Sequence, residues 1–270
     1  MPDKPRGGTG DVWPGGTLDA KTIFTTPSAK PSRFRSLTMV RAAPPRFEEG
    51  EPRGSLKIRL ARMFEDRRAE SLRPRAPESP PSVPGAQQDP YLYTFLAHDG
   101  GRLVGSLGVR LDSPLGLAAD DLYRDELEAL RDAGARLCEL VRLSVDMNSA
   151  PKRAIGCLFH SAYLFAGSVC GCEYGVIEAR AEHADFYRLS LGFQSIGEAR
   201  LNRRVGQTET LLCAHLPAAL GELARVGGQP DRAAQERTLF PYGFSPLEAV
   251  GVVRRLAGLA AAALPGRSRE

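Results

Sequence analysis

The pattern of this 270-residue chain predicts an α/β domain built on one central mixed sheet flanked by helices. Three observations lead there. Apolar and polar residues alternate over 55–61, two further strand segments flank an HDGG turn at 98–101, and strand, helix, strand and helix follow one another between 136 and 191. With 42% hydrophobic and 25% charged residues the composition is that of a globular protein. The net charge of +4 is too small to imply nucleic acid and suits an acidic protein or a phosphate-bearing anion.

Residues 1–52 are rich in Pro, Gly, Lys and Arg and show neither helical nor strand periodicity. Such a stretch buries too little apolar surface to offset its ordering entropy, so it is expected to be a disordered basic tail. It holds no continuous apolar run of the secretory kind. Nor does any segment reach the roughly 18 apolar residues of a membrane span. AVGVVRRLAGLAAAAL (249–264) comes nearest, and Arg254 and Arg255 interrupt it, so it reads as an amphipathic helix. A cytoplasmic protein without a transmembrane segment is expected, with peripheral membrane contact left open.

The domain is expected over 53–216. SLKIRLA (55–61) sets Leu56, Ile58 and Leu60 against Lys57, Arg59 and Ala61, a half-buried strand. A polar-faced helix over 62–73 and a Pro-rich loop over 74–90 follow, because prolines deny backbone donors to helix or ladder. YLYTFLA (91–97) and RLVGSLGVRLD (102–112) form a hairpin around HDGG. Residues 117–134 make a helix with Leu122, Leu127 and Leu130 among its apolar positions and Gly134 as its stop. RLCELVRLSVD (136–146) is a strand with an unusual load of charge. Ser149 and Pro151 open the next helix, in which Ile155, Leu158, Phe159, Ala162, Phe165, Ala166 and Val169 recur at helical spacing. YGVIEAR (174–180) is a strand, 182–191 a helix stopped by Gly192, and TETLLCAHL (208–216) the last strand. Residues 217–270 read as a helical C-terminal extension around FPYGFSP (240–246).

Five cysteines, Cys138, Cys157, Cys170, Cys172 and Cys213, lie in apolar surroundings and read as reduced. Cys170-Gly171-Cys172 is shorter than the usual metal or redox pairs and reads as two packing residues. His98 and His160 lack a second ligand at metal spacing, so no metal is assigned.

Chemistry is concentrated between 138 and 193. Glu139 and Arg142 interrupt an apolar strand, and on a regular strand they point to opposite faces. They share a site only if a bulge shifts the register. A partly exposed ion pair at a strand end explains them equally well. MNSAPKRAIG (147–156) joins free helix-start N–H groups to Lys152 and Arg153, an anion site if it is more than an ordinary capped helix. His183 and Tyr187, four apart, share a helix face. Tyr187 could protonate a departing thiolate and His183 orient a substrate, or both could simply pack and cap.

GARLCELVRLSVD (134–146), VIEARAEHADFY (176–187) and LSLGF (189–193), in this order, resemble the GNAT acyltransferase fold and, within it, the N-acyl amino acid synthase (FeeM-type) family, related to acyl-homoserine-lactone synthases. The resemblance covers about 55–215, and RTLFPYGFSP (237–246) is similar as well. It implies a GNAT-like single domain with a splayed sheet. The implied reaction moves a long acyl chain from acyl carrier protein to the α-amine of an amino acid, with no tightly bound cofactor. Acyl-ACP or acyl-CoA is the co-substrate. By motif, Glu139, Arg142 and Tyr187 are implied as catalytic, and Arg110, His183 and Arg59 as substrate-binding. Backbone N–H groups around Leu143 and Val145, with Lys152, Arg153 and Gly156, would hold phosphopantetheine. Arg153-Ala-Ile-Gly156-Cys157-Leu158 lacks the last small residue of the usual phosphate loop, which favours a carrier-protein donor. An acyl-CoA enzyme acting on another small amine, or a catalytically silent binding module, is the alternative. A long chain needs an apolar tunnel, and the C-terminal helices (217–264) are the candidates to roof it.

Overall fold

The computed structural model describes residues 22–27, 55–61, 89–146, 152–203 and 206–261. The expected helix over 62–73, nearly all of the 74–90 loop and the helix start at Ser149 and Pro151 lie outside these residues.

Nine strands form one sheet in the order β1-β2-β3-β4-β5-β6-β9-β7, with β8 also on β9. They are β1 (Thr22–Pro27), β2 (Ser55–Ala61), β3 (Leu92–Asp99), β4 (Arg102–Leu111), β5 (Leu137–Val145), β6 (Tyr174–Arg180), β7 (Gln194–Ser195), β8 (Arg200–Asn202) and β9 (Gln207–His215). Among the described residues every pairing is antiparallel except β5 with β6. The helices are α1 (Asp120–Asp132), α2 (Lys152–Tyr163), which continues as a π turn over Leu164–Val169, α3 (Ala181–Leu191), α4 (Leu216–Val226), α5 (Ala233–Glu236) and α6 (Pro246–Ala261). This is the mixed α/β sheet flanked by helices that the sequence predicts.

Local chemistry accounts for the elements. The β3–β4 hairpin turns on Gly100 and Gly101, both at positive φ, with Asp99 opposite Arg102. Two consecutive positive φ values are what the right-handed twist of a two-residue hairpin demands. Helix α3 ends on Gly192 at φ 76, the left-handed cap that a side chain resists.

Alternation decides which side of the sheet is core. Ile58, Phe95, Leu107, Val109 and Leu140 face α2 and join Ile155, Leu158, Phe159 and Phe165 in the main cluster. The other face of β5, β6 and β9 packs Leu137, Val176, Leu211 and Cys213 against Tyr123 and Leu127 of α1.

One expectation is corrected. Thr22–Pro27, inside the stretch read as a disordered tail, is a strand paired with β2, and Ile23 and Phe24 are buried. TIFTTP is rich in β-branched and aromatic residues, and a partner strand more than thirty residues on supplies the ladder. The rest of 1–52 lies outside the described residues. The C-terminal segment packs into the same core: Phe244, Val252, Leu256 and Ala260 belong to the same cluster as the sheet and α2. Arg255 Nε donates to the Ile23 carbonyl, tying α6 to β1.

Candidate active site

The register between β4 and β5 runs Arg110 opposite Glu139, Gly108 opposite Val141, then Ser106 opposite Ser144. Two steps on β4 match three on β5, so β5 carries one extra residue between Val141 and Ser144. Arg142 lies there, at φ 55. The bulge that the sequence reading required is present, and it flips the alternation: Cys138 and Leu140 face the α2 core before it, Leu143 and Val145 after it. Gly108 makes room for it, since a Cβ there would lie 2.8 Å from Val141 Cγ2 and 3.0 Å from its carbonyl.

The opposite face of β2–β5 carries several polar side chains beside the small Ala61–Leu96 cluster. Residues directly opposite one another share a face, which puts Arg59, Ser106, Arg110, Glu139 and Ser144 together there. Arg59 and Glu139 are three strands apart, about 14 Å sideways.

Glu139 is 2% exposed. Its Oε2 accepts from the Ala118 N–H at 2.7 Å and pairs with Arg110 Nη1 at 3.7 Å. Arg110 Nε in turn donates to Asp89 Oδ2 at 2.7 Å, and Asp89 Oδ1 accepts from the Tyr91 N–H. The ion pair that the sequence suggested between Glu139 and Arg142 is replaced by one with Arg110, because the bulge leaves Arg142 exposed. Asp89 was not singled out from sequence. Its signal was an acidic residue closing a Pro-rich run just before a strand. The Ala118 N–H has no sequence signal, being a backbone group.

Strands β5 and β6 part immediately beyond this point. Their ladder consists of Leu137, Cys138 and Glu139 opposite Tyr174, Gly175 and Val176. From Leu140 to Val145, β5 keeps β4 on one side and has no strand partner on the other among the described residues. β6 meanwhile continues along β9 through Arg180. The result is a V-shaped opening with Glu139 at its vertex, able to admit an extended chain along the free edge of β5.

Tyr187 and Glu139 are on different sides of the sheet. Tyr187 lies in an aromatic group with Phe159, Phe186 and Phe193 on the α2 side. Burial pushes its hydroxyl well above the ordinary phenol range, so it stays protonated across the ordinary pH range. His183, one turn earlier on α3, has Nε2 3.9 Å from Glu182 Oε1.

Two of the residues expected to hold phosphate make packing contacts. Arg153 pairs with Glu248 of α6 at 3.2 Å and lies over the Phe24 ring. Gly156 allows the Leu239–Tyr242 segment to press on α2: a Cβ there would sit 2.9 Å from Tyr242 Cβ and 3.1 Å from the Leu239 carbonyl. Lys152, the first described residue of α2, lies 5.7 Å from the Tyr242 ring centroid.

A cavity of about 620 Å³ lies away from the V, at the start of β5, lined by Asp112, Asp120, Arg131, Arg136, Cys170 and Cys172 among others. Arg131 bridges Asp112 and Asp120 at 2.7 Å each, holding both ends of the loop that offers Ala118 to Glu139. Among the described residues no group of three His, Cys, Asp or Glu is arranged for a metal, and no helix is long and apolar enough to cross a membrane.

The family model of N-acyl amino acid synthase FeeM matches residues 62–215, more than half of the chain and all of β3–β9. The chain belongs to the FeeM family of N-acyl amino acid synthases. It is therefore an acyltransferase of the N-acyl-transferring kind. Among solved structures, FeeM itself, an N-acyl amino acid synthase from uncultured soil microbes, is similar at 29% identity, with 49% of this chain and 71% of that chain covered and a TM-score of 0.44. The AHL synthase LasI is similar at 15% identity, with 60% and 89% covered and a TM-score of 0.40. A spermidine N-acetyltransferase SpeG chimera from Vibrio cholerae and hSSAT gives 13%, 61%, 98% and 0.43. The comparison with curated proteins gives no match.

Proposed function

We propose that this FeeM-family member takes a long fatty acyl group from the phosphopantetheine thioester of an acyl carrier protein and passes it to the α-amine of an amino acid. The observation that carries the reading is the parting of β5 from β6 immediately beyond the buried, hydrogen-bonded Glu139. The pantetheine arm would lie in that opening as an extra strand, hydrogen-bonded to the free backbone edge around Leu143 and Val145. Its phosphate would sit near Lys152.

In the reaction the amine nitrogen bonds to the thioester carbon, the C–S bond breaks and the thiolate leaves. The amine must first be neutral. With a pKa near 8 about a tenth is neutral at pH 7, so deprotonation costs only about 1.4 kcal/mol. Glu139, directly or through water, would take that proton, while Arg110 and the Ala118 N–H fix its orientation. Exposed Arg142 would meet the charge that develops on the carbonyl oxygen or the acceptor carboxylate. Arg59, on the same face, and His183 would contact the acceptor. Tyr187, protonated, would return a proton to the thiolate through the opening where the two faces of the sheet meet. Holding amine and thioester together supplies more of the acceleration than the base does. Donor length is the other lever, since each buried CH₂ contributes about 0.8 kcal/mol. A reducing, cytoplasmic setting agrees with five free cysteines.

The test is one assay. Purified protein is given acetyl to palmitoyl donors on CoA and on acyl carrier protein, with a pool of amino acids, and products are read by mass spectrometry. Long-chain N-acyl amino acids from the carrier donor are expected. Product from acetyl-CoA and a non-amino-acid amine alone would overturn the proposal.

A further inference from the structure

The acyl-transfer reading leaves the thiols at the start of β5 without a task. Cys172 Sγ donates to the Leu137 carbonyl at 3.5 Å, which sets it beside the thiol of Cys138, the next residue on β5. Cys138 is fully buried, whereas Cys172 stands at the wall of the 620 Å³ cavity. Arg136 lines the same wall, and its guanidinium passes so close over Gly171 that a Cβ there would overlap it. The glycine between Cys170 and Cys172, at φ +70, thus admits a cation beside the thiols.

We infer that Cys172 is a thiol that reacts with peroxide from the cavity, and that Cys138 resolves the product as an intramolecular disulfide. In the first step the Cys172 thiolate attacks one oxygen of hydrogen peroxide; the O–O bond breaks, leaving a sulfenic acid and hydroxide, which takes up a proton to become water. In the second step the Cys138 sulfur attacks the Cys172 sulfur. The S–S bond forms, the S–O bond breaks, and the departing hydroxide leaves as water with the Cys138 proton. Two thiols are oxidised and one peroxide is reduced to two waters.

The roles are not interchangeable. The adjacent Cys138 thiol and the Arg136 charge hold the Cys172 thiol below its ordinary range, against burial. The adjacent Cys172 thiol, followed by burial, pushes Cys138 up. The cavity-facing sulfur is the nucleophile and the buried one the resolver. The bridge would fasten β5 to the turn before β6 where Leu137 still pairs with Tyr174, at the closed end of the V.

The experiment reads mass and is independent of the acyl-transfer proposal. Full-length reduced protein is titrated with hydrogen peroxide, remaining thiols are alkylated, and peptides are mapped, with dimedone added in a parallel series to trap sulfenic acid. The expected result is loss of two hydrogen atoms and a Cys138–Cys172 cross-linked peptide, reversed by dithiothreitol. In Cys138→Ser the dimedone adduct should accumulate on Cys172, and in Arg136→Gln the oxidation should slow several-fold. The wild-type map carries the test if either variant fails to fold. A bridge joining Cys170 to Cys172, modification first at another cysteine, or no bridge under peroxide that oxidises free cysteine would overturn the inference.

Discussion

A carboxylate that is 2% exposed requires compensating partners, and Glu139 has them in Arg110 and the Ala118 N–H. Glu139→Gln keeps the size and can still accept from Ala118. We expect a urea midpoint within the experimental spread of wild type and turnover lowered roughly a hundredfold, the lower end of the range for a general base. Unchanged turnover in the folded variant would remove Glu139 from the proton transfer. Arg142 offers a complementary test. A side chain at φ 55 is strained by about 1 kcal/mol relative to glycine, and this one is exposed. Arg142→Gly should leave stability level or raised while turnover falls, a split that a packing residue would not give. Both residues were visible in the sequence as charges interrupting an apolar strand. Their true partners were not: Asp89 comes from beyond a Pro-rich loop, and Ala118 acts through its backbone.

Helix α2 and the 239–245 segment form the joint that holds the C-terminal residues to the domain. Cys157 Sγ donates to the Tyr242 carbonyl at 3.6 Å, the Phe244 N–H donates to His160 Nδ1 at 2.9 Å, and Gly156 lets the two backbones approach. Gly156→Ala should therefore destabilise by about 1–3 kcal/mol through overpacking, measured by urea denaturation. His160 adds a pH dependence. Burial holds its imidazole neutral, with a pKa lowered from 6.5 to about 3. The unfolded chain takes up a proton below about pH 6.5 that the folded chain refuses. The stabilisation is thus complete above that value and is lost as pH falls toward 3, at up to about 1.4 kcal/mol per pH unit. His160→Gln should flatten that part of the stability–pH curve. Periodicity showed the helix and its buried face, and the hairpin and left-handed caps were readable from glycines. Periodicity could not show that Arg153 and Gly156 serve this joint, because the segment they meet lies more than eighty residues on. It also missed β1, which is held by β2, by α6 and by contacts of Phe24 with Arg153 and Phe244.

At the scale of the molecule, one core joins β1, the sheet, α2 and α6, so the tail, domain and extension divisions of the sequence do not correspond to separate packing units. Removing the chain from Gly251 onward deletes Val252, Leu256 and Ala260 from that core. It should lower the urea midpoint and reduce activity with short and long donors alike; loss confined to long donors would restore a roofing role to α6. What the whole fold offers the reaction is the V between β5 and β6, and its most direct test is a comparison of kcat/KM for one long acyl chain carried by acyl carrier protein and by CoA, with the same amino acid. Clear preference for the carrier-protein donor and an N-acyl amino acid product are expected. Equal efficiency, or preference for CoA, would contradict the proposal.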